Sequence, residues 1–491
     1  MTNNILFAQD QNEWNWGSYG DSTFIPITAW LQNVNDIDIY KAAGFNTYTG
    51  FWGGITEGQI AALQAKQMHY IVGWNKTGVE DQPDLVARNH IDDPLFIAWG
   101  HRDEPDNAQP DGAGGYGPCM DPQVIKDLYN EIKAFDTTGR SVILNCGAGV
   151  ARTDAYIRGE CAGNIDSYIE YYKGADIASF DIYPVSSPPS PITTNNDLWY
   201  VAQGVKNMKT WTNGEKPLWF CLECTDIKGE GKPTPEQIRI EAWMGIIGGG
   251  TALQWFPFTV YPNVHNGRAL IEDPMMLAAV TSVNREVRDF APIINSRTVD
   301  YAVSRKLDFG WNIPIDYTSK IFDDTLYIFA SGMRAYGSNG ATFTINASMD
   351  IASEVIVIGE ERKIPLTGNS FHDDFDGNEI HLYKIGGVSE DMLITGIGVK
   401  PLHLDEAFEL EQNFPNPFHN ETVIGFRLGE STDIELIVYN LMGQKVATLV
   451  DEVKMAGNHT VKFDASGLAS GVYMYHLVAG DFVLTRKMTS Y

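Results

Sequence analysis

Leu95-Phe96-Ile97-Ala98-Trp99-Gly100-His101-Arg102-Asp103-Glu104-Pro105 and Leu218-Trp219-Phe220-Cys221-Leu222-Glu223 follow one pattern: a short apolar run that stops on an acid. A run this short is too brief for a helix and suits a strand buried on both faces. Working outward, six more runs of the kind appear at Phe24–Trp30, Phe45–Phe51, Tyr70–Trp74, Ser141–Cys146, Ile177–Tyr183 and Ala252–Phe256. Amphipathic stretches lie between them. Glu57–Met68 carries Ile60, Leu63 and Ala65 on one side, and Gln123–Phe135 carries Ile125, Leu128, Tyr129 and Ile132. Strands alternating with helices between Ile25 and Ala291 predict an α/β fold, a (β/α)8 TIM barrel, which typically takes about 250 residues. A doubly wound open sheet is the competing layout. It would place a glycine-rich phosphate turn after the first strand, where this chain has Trp30-Leu31-Gln32-Asn33.

After Pro292 the texture changes to strands and turns. Leu326–Ser331, Ala341–Ile345, Ser353–Ile358 and Ile380–Ile385 alternate with Gly-, Asn- and Asp-rich turns and predict a β-sandwich, either a carbohydrate-binding module or, with no exposed aromatic row along its strands, a packing partner of the barrel. The expected organisation is a barrel over 1–292, a β-sandwich over 293–387, a linker over 388–408 and a second, immunoglobulin-like β-sandwich over 409–491.

Composition narrows the partners. Lys+Arg number 35 against Asp+Glu 63, a net charge of −28, so the surface repels polyanions and nucleic acid is not an expected partner. No run reaches the roughly 18 apolar residues of a membrane span. The amino-terminal run Ile5–Ala8 is short and has no basic start, so no amino-terminal export signal is visible in this chain. The five cysteines show no paired metal spacing; Cys221 and Cys224 read as strand packing, and Cys119 with Cys161 as a bridge if the protein is exported. Asp373, Asp374, Asp376 and Glu379 read as a solvated turn, because their spacing is not that of a twelve-position calcium loop. No metal and no cofactor are expected.

In (β/α)8 enzymes the working side chains sit where strands end. Glu104 follows the fourth strand and Glu223 ends the seventh, so two carboxylates are expected to face each other across the mouth. Glycoside hydrolysis needs such a pair, about 5–5.5 Å apart when configuration is retained. Trp30, Trp52 and Trp74 close the first three strands, and aromatic faces at one rim suit the CH faces of sugars. Arg102, Asp103, Asn145, Asp181, Tyr183 and Trp255 lie at other strand ends and are the remaining candidates for substrate binding. The competing structural reading pairs Glu104 and Glu223 with Arg102 in a salt bridge.

These strand ends resemble the large clan of retaining glycosidases with glutamates on strands four and seven. The resemblance implies Glu104 as acid/base, Glu223 as nucleophile, Tyr183 as a partner of the nucleophile and Trp255 as the floor of a sugar subsite. One position departs from it: the clan has Asn before the strand-four glutamate, and this chain has Asp103. The Asp103-Glu104 pair is also similar to substrate-assisted hexosaminidases, in which the Asp steadies the substrate's own acetamido group. A non-catalytic glycan-binding barrel needs the same aromatic residues. Finally, Leu410-Glu411-Gln412-Asn413-Phe414-Pro415-Asn416-Pro417-Phe418, Val438–Val446, Ala456-Gly457-Asn458-His459, Phe463-Asp464-Ala465, Ser470–Tyr473 and Arg486-Lys487-Met488 resemble, in order, the C-terminal sorting domain of the type IX secretion system. That resemblance implies a Bacteroidetes-type bacterium, handling by that machinery and a secreted or cell-surface destination, with carbohydrate as the partner of the barrel.

Overall fold

A computed structural model describes residues 21–51, 54–73, 85–109, 117–152, 164–186, 197–260, 266–308, 313–347, 351–393, 408–428, 432–440, 444–454, 457–479 and 482–491. Eight parallel strands close into a barrel in chain order. They are β1 (Ile27–Trp30), β2 (Thr47–Thr49), β3 (His69–Gly73), β4 (Phe96–Gly100), β5 (Ser141–Cys146), β6 (Ile177–Phe180), β7 (Leu218–Glu223) and β8 (Ala252–Phe256). Each is followed by its helix: α1 (Ile37–Ala42), α2 (Glu57–Ala65), α3 (Leu85–Arg88), α4 (Pro122–Phe135), α5 (Ile165–Tyr172), α6 (Tyr200–Trp211), α7 (Pro235–Ile247) and α8 (Pro274–Asp289), after which a short α9 (Ala291–Ile294) leaves the barrel. β1 and β2 start later than the apolar runs suggest. The Asn46 side chain stands in for sheet pairing there, accepting from Ile27 N–H at 2.9 Å and donating to Ile25 O at 2.8 Å.

Strand alternation divides the residues between the two sides of the wall. Ile71, Ala98, Ile143, Ile177, Trp219 and Ala252 form an apolar cluster of their own inside the barrel. Two residues further along, on the same side, stand Asn145, Ser179, Cys221 and Gln254. The interior thus changes from apolar to polar over one step of the pleat. The intervening residues, among them Leu144, Ala178, Phe220, Leu253 and Trp255, face the helices in the main core.

The helices lie close to the sheet because glycine lets them. A methyl group on Gly204 of α6 would stand 2.2 Å from the Phe180 ring, and one on Gly245 of α7 would stand 2.2 Å from the Phe220 ring. Phe180 and Phe220 are register partners on β6 and β7, so the two contacts repeat side by side. Capping boxes at Thr56–Gln59 and Thr234–Gln237 start α2 and α7.

The strands that follow are β9 (Arg297–Thr298), β10 (Val303–Leu307), β11 (Ile315–Phe322), β12 (Thr325–Gly332), β13 (Ser338–Ile345), β14 (Glu354–Val357), β15 (Arg362–Pro365), β16 (Ser370–Asp376) and β17 (Ile380–Gly386). They make a sheet β10-β13-β16 and a sheet β15-β14-β17-β12-β11-β9 around a second core. One face of the larger sheet belongs to the barrel's core through Tyr327, Phe329, Met333, Ile380 and Leu382. At that joint the rings of Trp243, Phe290 and Phe329 meet pairwise with centroids 5.1–5.7 Å apart. Arg334 covers the Trp199 ring at 4.4 Å, and Lys206 pairs with Asp316.

The last strands are β18 (Phe408–Leu410), β19 (Glu421–Leu428), β20 (Thr432–Asn440), β21 (Lys445–Lys454), β22 (Gly457–Asp464), β23 (Gly471–Ala479) and β24 (Phe482–Ser490). They form sheets β18-β19-β22 and β21-β20-β23-β24 around a third core. The Tyr475 hydroxyl ties the entry of this unit, donating to Glu411 O at 2.7 Å and accepting from Asn413 N–H at 2.9 Å. Cys146, Cys221 and Cys224 are free and buried. Cys119 is disulfide-bonded, and Cys161 lies outside the described residues. Among the described residues no helix is long and apolar enough to cross a membrane.

Gly204→Ala or Gly245→Ala should each destabilise the barrel by about 1–3 kcal/mol, the usual cost of forcing a side chain into a filled contact. Urea unfolding checks this; a parental midpoint for both would show that the helices are free to back away.

Candidate active site at the barrel mouth

The chain leaves β4 in a tightly specified turn. His101 N–H donates to Ile143 O at 2.8 Å, and Glu104 N–H then donates to Asn145 O at 2.9 Å. Glu104 takes φ +44°, left-handed backbone that costs a non-glycine residue about 1–3 kcal/mol and gathers at functional sites. Asp106 clamps the turn to β5, accepting from Gly147 N–H at 2.9 Å and from the Tyr168 hydroxyl at 2.9 Å. Gln109 Nε2 donates to the carbonyls of Glu104 and Asn107 at 3.0 and 2.8 Å. Gly147 leaves room for the carboxylate: a methyl there would lie 3.0 Å from Glu104 Oε1 and 2.9 Å from Asn107 Nδ2.

Asp103, Asn145 and Asp181 complete one acidic group with Glu104. Asn145 Nδ2 donates to Asp103 Oδ1 at 3.0 Å, and Asp181 N–H donates to Cys146 O at 3.0 Å where β6 ends. Asp103 is exposed to the mouth, so solvent moderates its surroundings. Loss of hydration against the enclosing walls still raises its carboxyl to about 7, with the Glu104 charge second and the Asn145 hydrogen bond opposing. Burial first, then the Gly147 amide working against it, leaves Asp106 at about 6. Asp181 is held well above the ordinary range by burial and then by Glu104, Asp103 and Asp106, while a hydrogen bond from Tyr183 opposes. Its Oδ1 is buried without a hydrogen bond.

His101 does different work. Its Nε2 lies 3.0 Å from Ile125 O and its Nδ1 accepts from Arg102 N–H at 2.8 Å. With burial lowering it to about 4, it is a neutral tie between β4 and α4. Arg102 beside it is half-buried.

Glu223 lies at the end of β7, fully buried. Its Oε1 accepts from Val185 N–H at 2.7 Å and its Oε2 from Ser186 N–H at 2.6 Å. Burial raises it, and these amides oppose. Its electrostatic neighbours are Glu241 on α7 and Cys224, whereas Asp103, Asp106 and Asp181 act on one another and on Glu104's side. Glu241 is also fully buried, and its oxygens make no hydrogen bond of good geometry. Burial, then the Glu223 charge, holds it well above the ordinary range.

The aromatic positions divide. Trp30 is half-buried on the barrel-facing side, two residues beyond Thr28, which is the register partner of Gln254. Trp255 corrects the expectation of a subsite floor: it is fully buried, with its indole N–H donating to Asn284 Oδ1 of α8 at 2.8 Å. The reason is alternation, since Gln254 takes the inward side and Trp255 the outward one. Phe256, one residue on, faces inward again and meets Tyr183 with ring centroids 5.4 Å apart. Trp52 and Trp74 lie outside the described residues. Sequence reasoning missed Asp106, Ser179, Gln254 and Phe256. Counting by twos from Ala252 finds Gln254 and Phe256, and counting from Ile177 finds Ser179.

Of the acidic run near the end of the first sandwich, Asp373 is taken by Arg362 at 2.7 and 2.9 Å and by the Tyr383 hydroxyl at 2.8 Å. One group among the described residues, Asp308, His372 and Asp374, brings possible metal ligand atoms within 4.8 Å of one another; all three are exposed and lie on the sandwich, not in the barrel.

Residues 412–490 match the family model of the secretion system C-terminal sorting domain. No curated protein sequence gives a significant match. Among solved structures, an alpha-galactosidase I from Mortierella vinacea aligns over 76% of this chain and 100% of its own at 11% identity and a TM-score of 0.42. A family 30 subfamily 8 xylanase from Clostridium acetobutylicum aligns over 74% and 95% at 12% identity and 0.39. An endo-beta-1,4-mannanase from Thermotoga petrophila aligns over 96% and 98% at 9% identity and 0.37.

A carboxyl raised by folding takes up a proton between its ordinary and folded values, so stability falls as pH rises through that window. For Asp103 the window runs from 3.8 to about 7. The parent should therefore lose stability relative to Asp103→Asn as pH rises across it, read as urea midpoints. Parallel profiles would show that Asp103 titrates as a free carboxyl.

Proposed function

We propose that the barrel is a glycoside hydrolase with Glu104 as general acid, acting on a polysaccharide or oligosaccharide after export. The observation that carries this is the gathering of Asp103, Glu104 and Asp181 at one mouth, with Glu104 presented from left-handed backbone. A proton donor needs neighbours of like charge to keep one proton in the group at working pH. Trp30, Tyr183 and Phe256 offer aromatic faces for sugar CH groups, and Asn145 and Arg102 offer donors.

The pairing of Asp103 with Glu104 supports the substrate-assisted version. Glu104 gives its proton to the glycosidic oxygen as the bond to the anomeric carbon breaks. The substrate's acetamido oxygen, steadied by Asp103, bonds to that carbon. Water then opens the ring so formed, and its proton returns to Glu104. A second reading makes Glu223 the nucleophile of a double displacement. It is favoured by the place of Glu223 as the last residue of β7, and it requires the Val185 and Ser186 amides to leave its oxygens accessible.

The sorting-domain match over 412–490 supports export, and the motif series supports the type IX machinery as the partner of this segment. The product is then secreted or held at the cell surface.

Glycan release from a panel with and without N-acetyl groups tests the reading. Glu104→Gln should lower release roughly 10²–10⁴-fold, the usual worth of general acid catalysis, with binding retained. Parental release by Glu104→Gln overturns the assignment, and glycan binding with no release by the parent identifies a binding protein instead. A requirement for the acetamido group, together with loss of activity in Asp103→Asn, supports the first version. Azide rescue of Glu223→Gly with inverted product supports the second.

A further inference from the structure

Beneath the acidic group the barrel holds a buried row of side chains that the reaction scheme leaves unused. Gln254 and Ser179 are both fully buried. Gln254 Nε2 donates to Ser179 Oγ at 2.7 Å, Ser179 Oγ donates to Asn145 Oδ1 at 2.8 Å, and Asn145 Nδ2 donates to Asp103 Oδ1 at 3.0 Å. Cys221 joins the row from β7. Its sulfur lies 3.6 Å from Gln254 Nε2 and 3.8 Å from Asn145 Oδ1, and burial keeps its thiol protonated. β5, β6, β7 and β8 each contribute one residue.

The row has a direction. An amide nitrogen only donates, so Gln254 Nε2 fills an acceptor position on Ser179 and sends the serine hydrogen toward Asn145. Two donors, Ser179 O–H and Cys221 S–H, then converge on Asn145 Oδ1, which leaves Nδ2 for Asp103. Gln254 Oε1 has no hydrogen bond, so nothing holds that amide from its other end. Reversing the row would turn Asn145 Oδ1 toward Asp103, an arrangement that requires Asp103 to carry a proton and donate it.

We propose that Ser179 and Gln254 are positioning residues that hold the Asn145 amide in the orientation from which it donates to Asp103, and thereby select which carboxyl of the mouth carries the shared proton. The consequence for the reaction rests on the reading of Glu104 as the acid. The titratable and charged groups acting on this assembly are Glu104 and Asp106 after β4, Asp181 and Tyr183 after β6, and Cys221 on β7. Anionic Asp103 accepts the Asn145 bond and is stabilised by it, so losing the row should raise the pH at which Asp103 titrates.

The test uses the full chain with 13C-labelled aspartate, the Asp103 carboxyl signal being identified by its loss in Asp103→Asn. Ser179→Ala should move the Asp103 titration upward by about one pH unit, within the range that one hydrogen bond to a charged form commands. With a cleaved glycan from the panel, kcat should fall about tenfold and the pH profile should move with the titration, while KM stays within about twofold. Gln254→Met should act in the same direction, and provides the measurement if Ser179→Ala does not fold. In an Asn145→Ala background Ser179→Ala should add nothing, the mark of two residues acting through one contact. An unmoved Asp103 titration in both single variants, or full additivity with Asn145→Ala, overturns the proposal. Parental activity in Glu104→Gln would remove the acid assignment alone, because the NMR titration reports on the row without any turnover.

Discussion

The change from an apolar to a polar interior, one pleat below the mouth, is the constraint on which the site depends. Ile71, Ala98, Ile143, Ile177, Trp219 and Ala252 fill the lower barrel and exclude water, so a polar side chain above them must find its partners within the barrel or lose a hydrogen bond worth about 1–3 kcal/mol. Asn145, Ser179, Cys221 and Gln254 satisfy most of that need among themselves. What remains is Gln254 Oε1, which has no hydrogen bond, and the Asn145 amide hydrogen that reaches Asp103. The polar row is therefore both the top of the core and the floor of the site, and neither function can be altered without the other.

Carboxylates crowd onto that floor at a cost the surrounding fold must offset. Asp103, Glu104, Asp106 and Asp181 repel one another in an enclosure that also strips hydration. Left to local preference, Glu104 would avoid φ +44° and its charge would turn to solvent. The Asp106 clamp on Gly147 and Tyr168, the Gln109 bond to Glu104 O and the bare backbone of Gly147 over-determine the turn. Strain held by so many independent contacts is what a position under functional constraint shows.

Much of this was legible in the sequence, and the limits have a physical cause. Strand ends could be read because apolar runs stop abruptly on polar residues, so β5, β7 and β8 fall at the residues expected; β6 stops at Phe180, short of the expected Tyr183, so Asp181 and Tyr183, like Asp103 and Glu104 after β4, lie in the turns that follow the strands. The azimuth of each side chain was harder. It depends on which residue of a run faces inward, and in a strand buried on both faces the composition of the two faces is nearly the same. Trp255 shows the consequence: its type suggests a sugar platform, yet the neighbouring Gln254 takes the inward place and sends the indole to Asn284. Glu223 shows another. Its strand end was legible, but the Val185 and Ser186 amides that hold it come from the turn after β6, distant in sequence, and no local signal announces them. Strand β11 of the sandwich was missed because its burial alternates irregularly along the run, and β10 because Ser304, Arg305 and Lys306 leave it only two apolar residues, Val303 and Leu307.

The three cores show which parts of the chain share packing with the barrel. The barrel and the first sandwich share one apolar interior: Trp243 and Phe290 meet Phe329, and Tyr327, Met333, Ile380 and Leu382 belong to the same cluster. Separating them would expose rings that α7 needs for its own packing, and α7 is the helix whose Gly245 sits on Phe220 and whose Glu241 lies beside Glu223. The sandwich is thus part of the frame that positions the mouth. The final strands behave differently. Leu410, Phe418, Ile424, Phe426, Leu436, Val438, Tyr475, Leu477 and Met488 enclose a core made of tail residues alone, over the segment that matches a sorting domain. A unit that buries its own apolar surface contributes no packing to the barrel's core, so the side chains at the mouth keep their supports whether the tail is present or not.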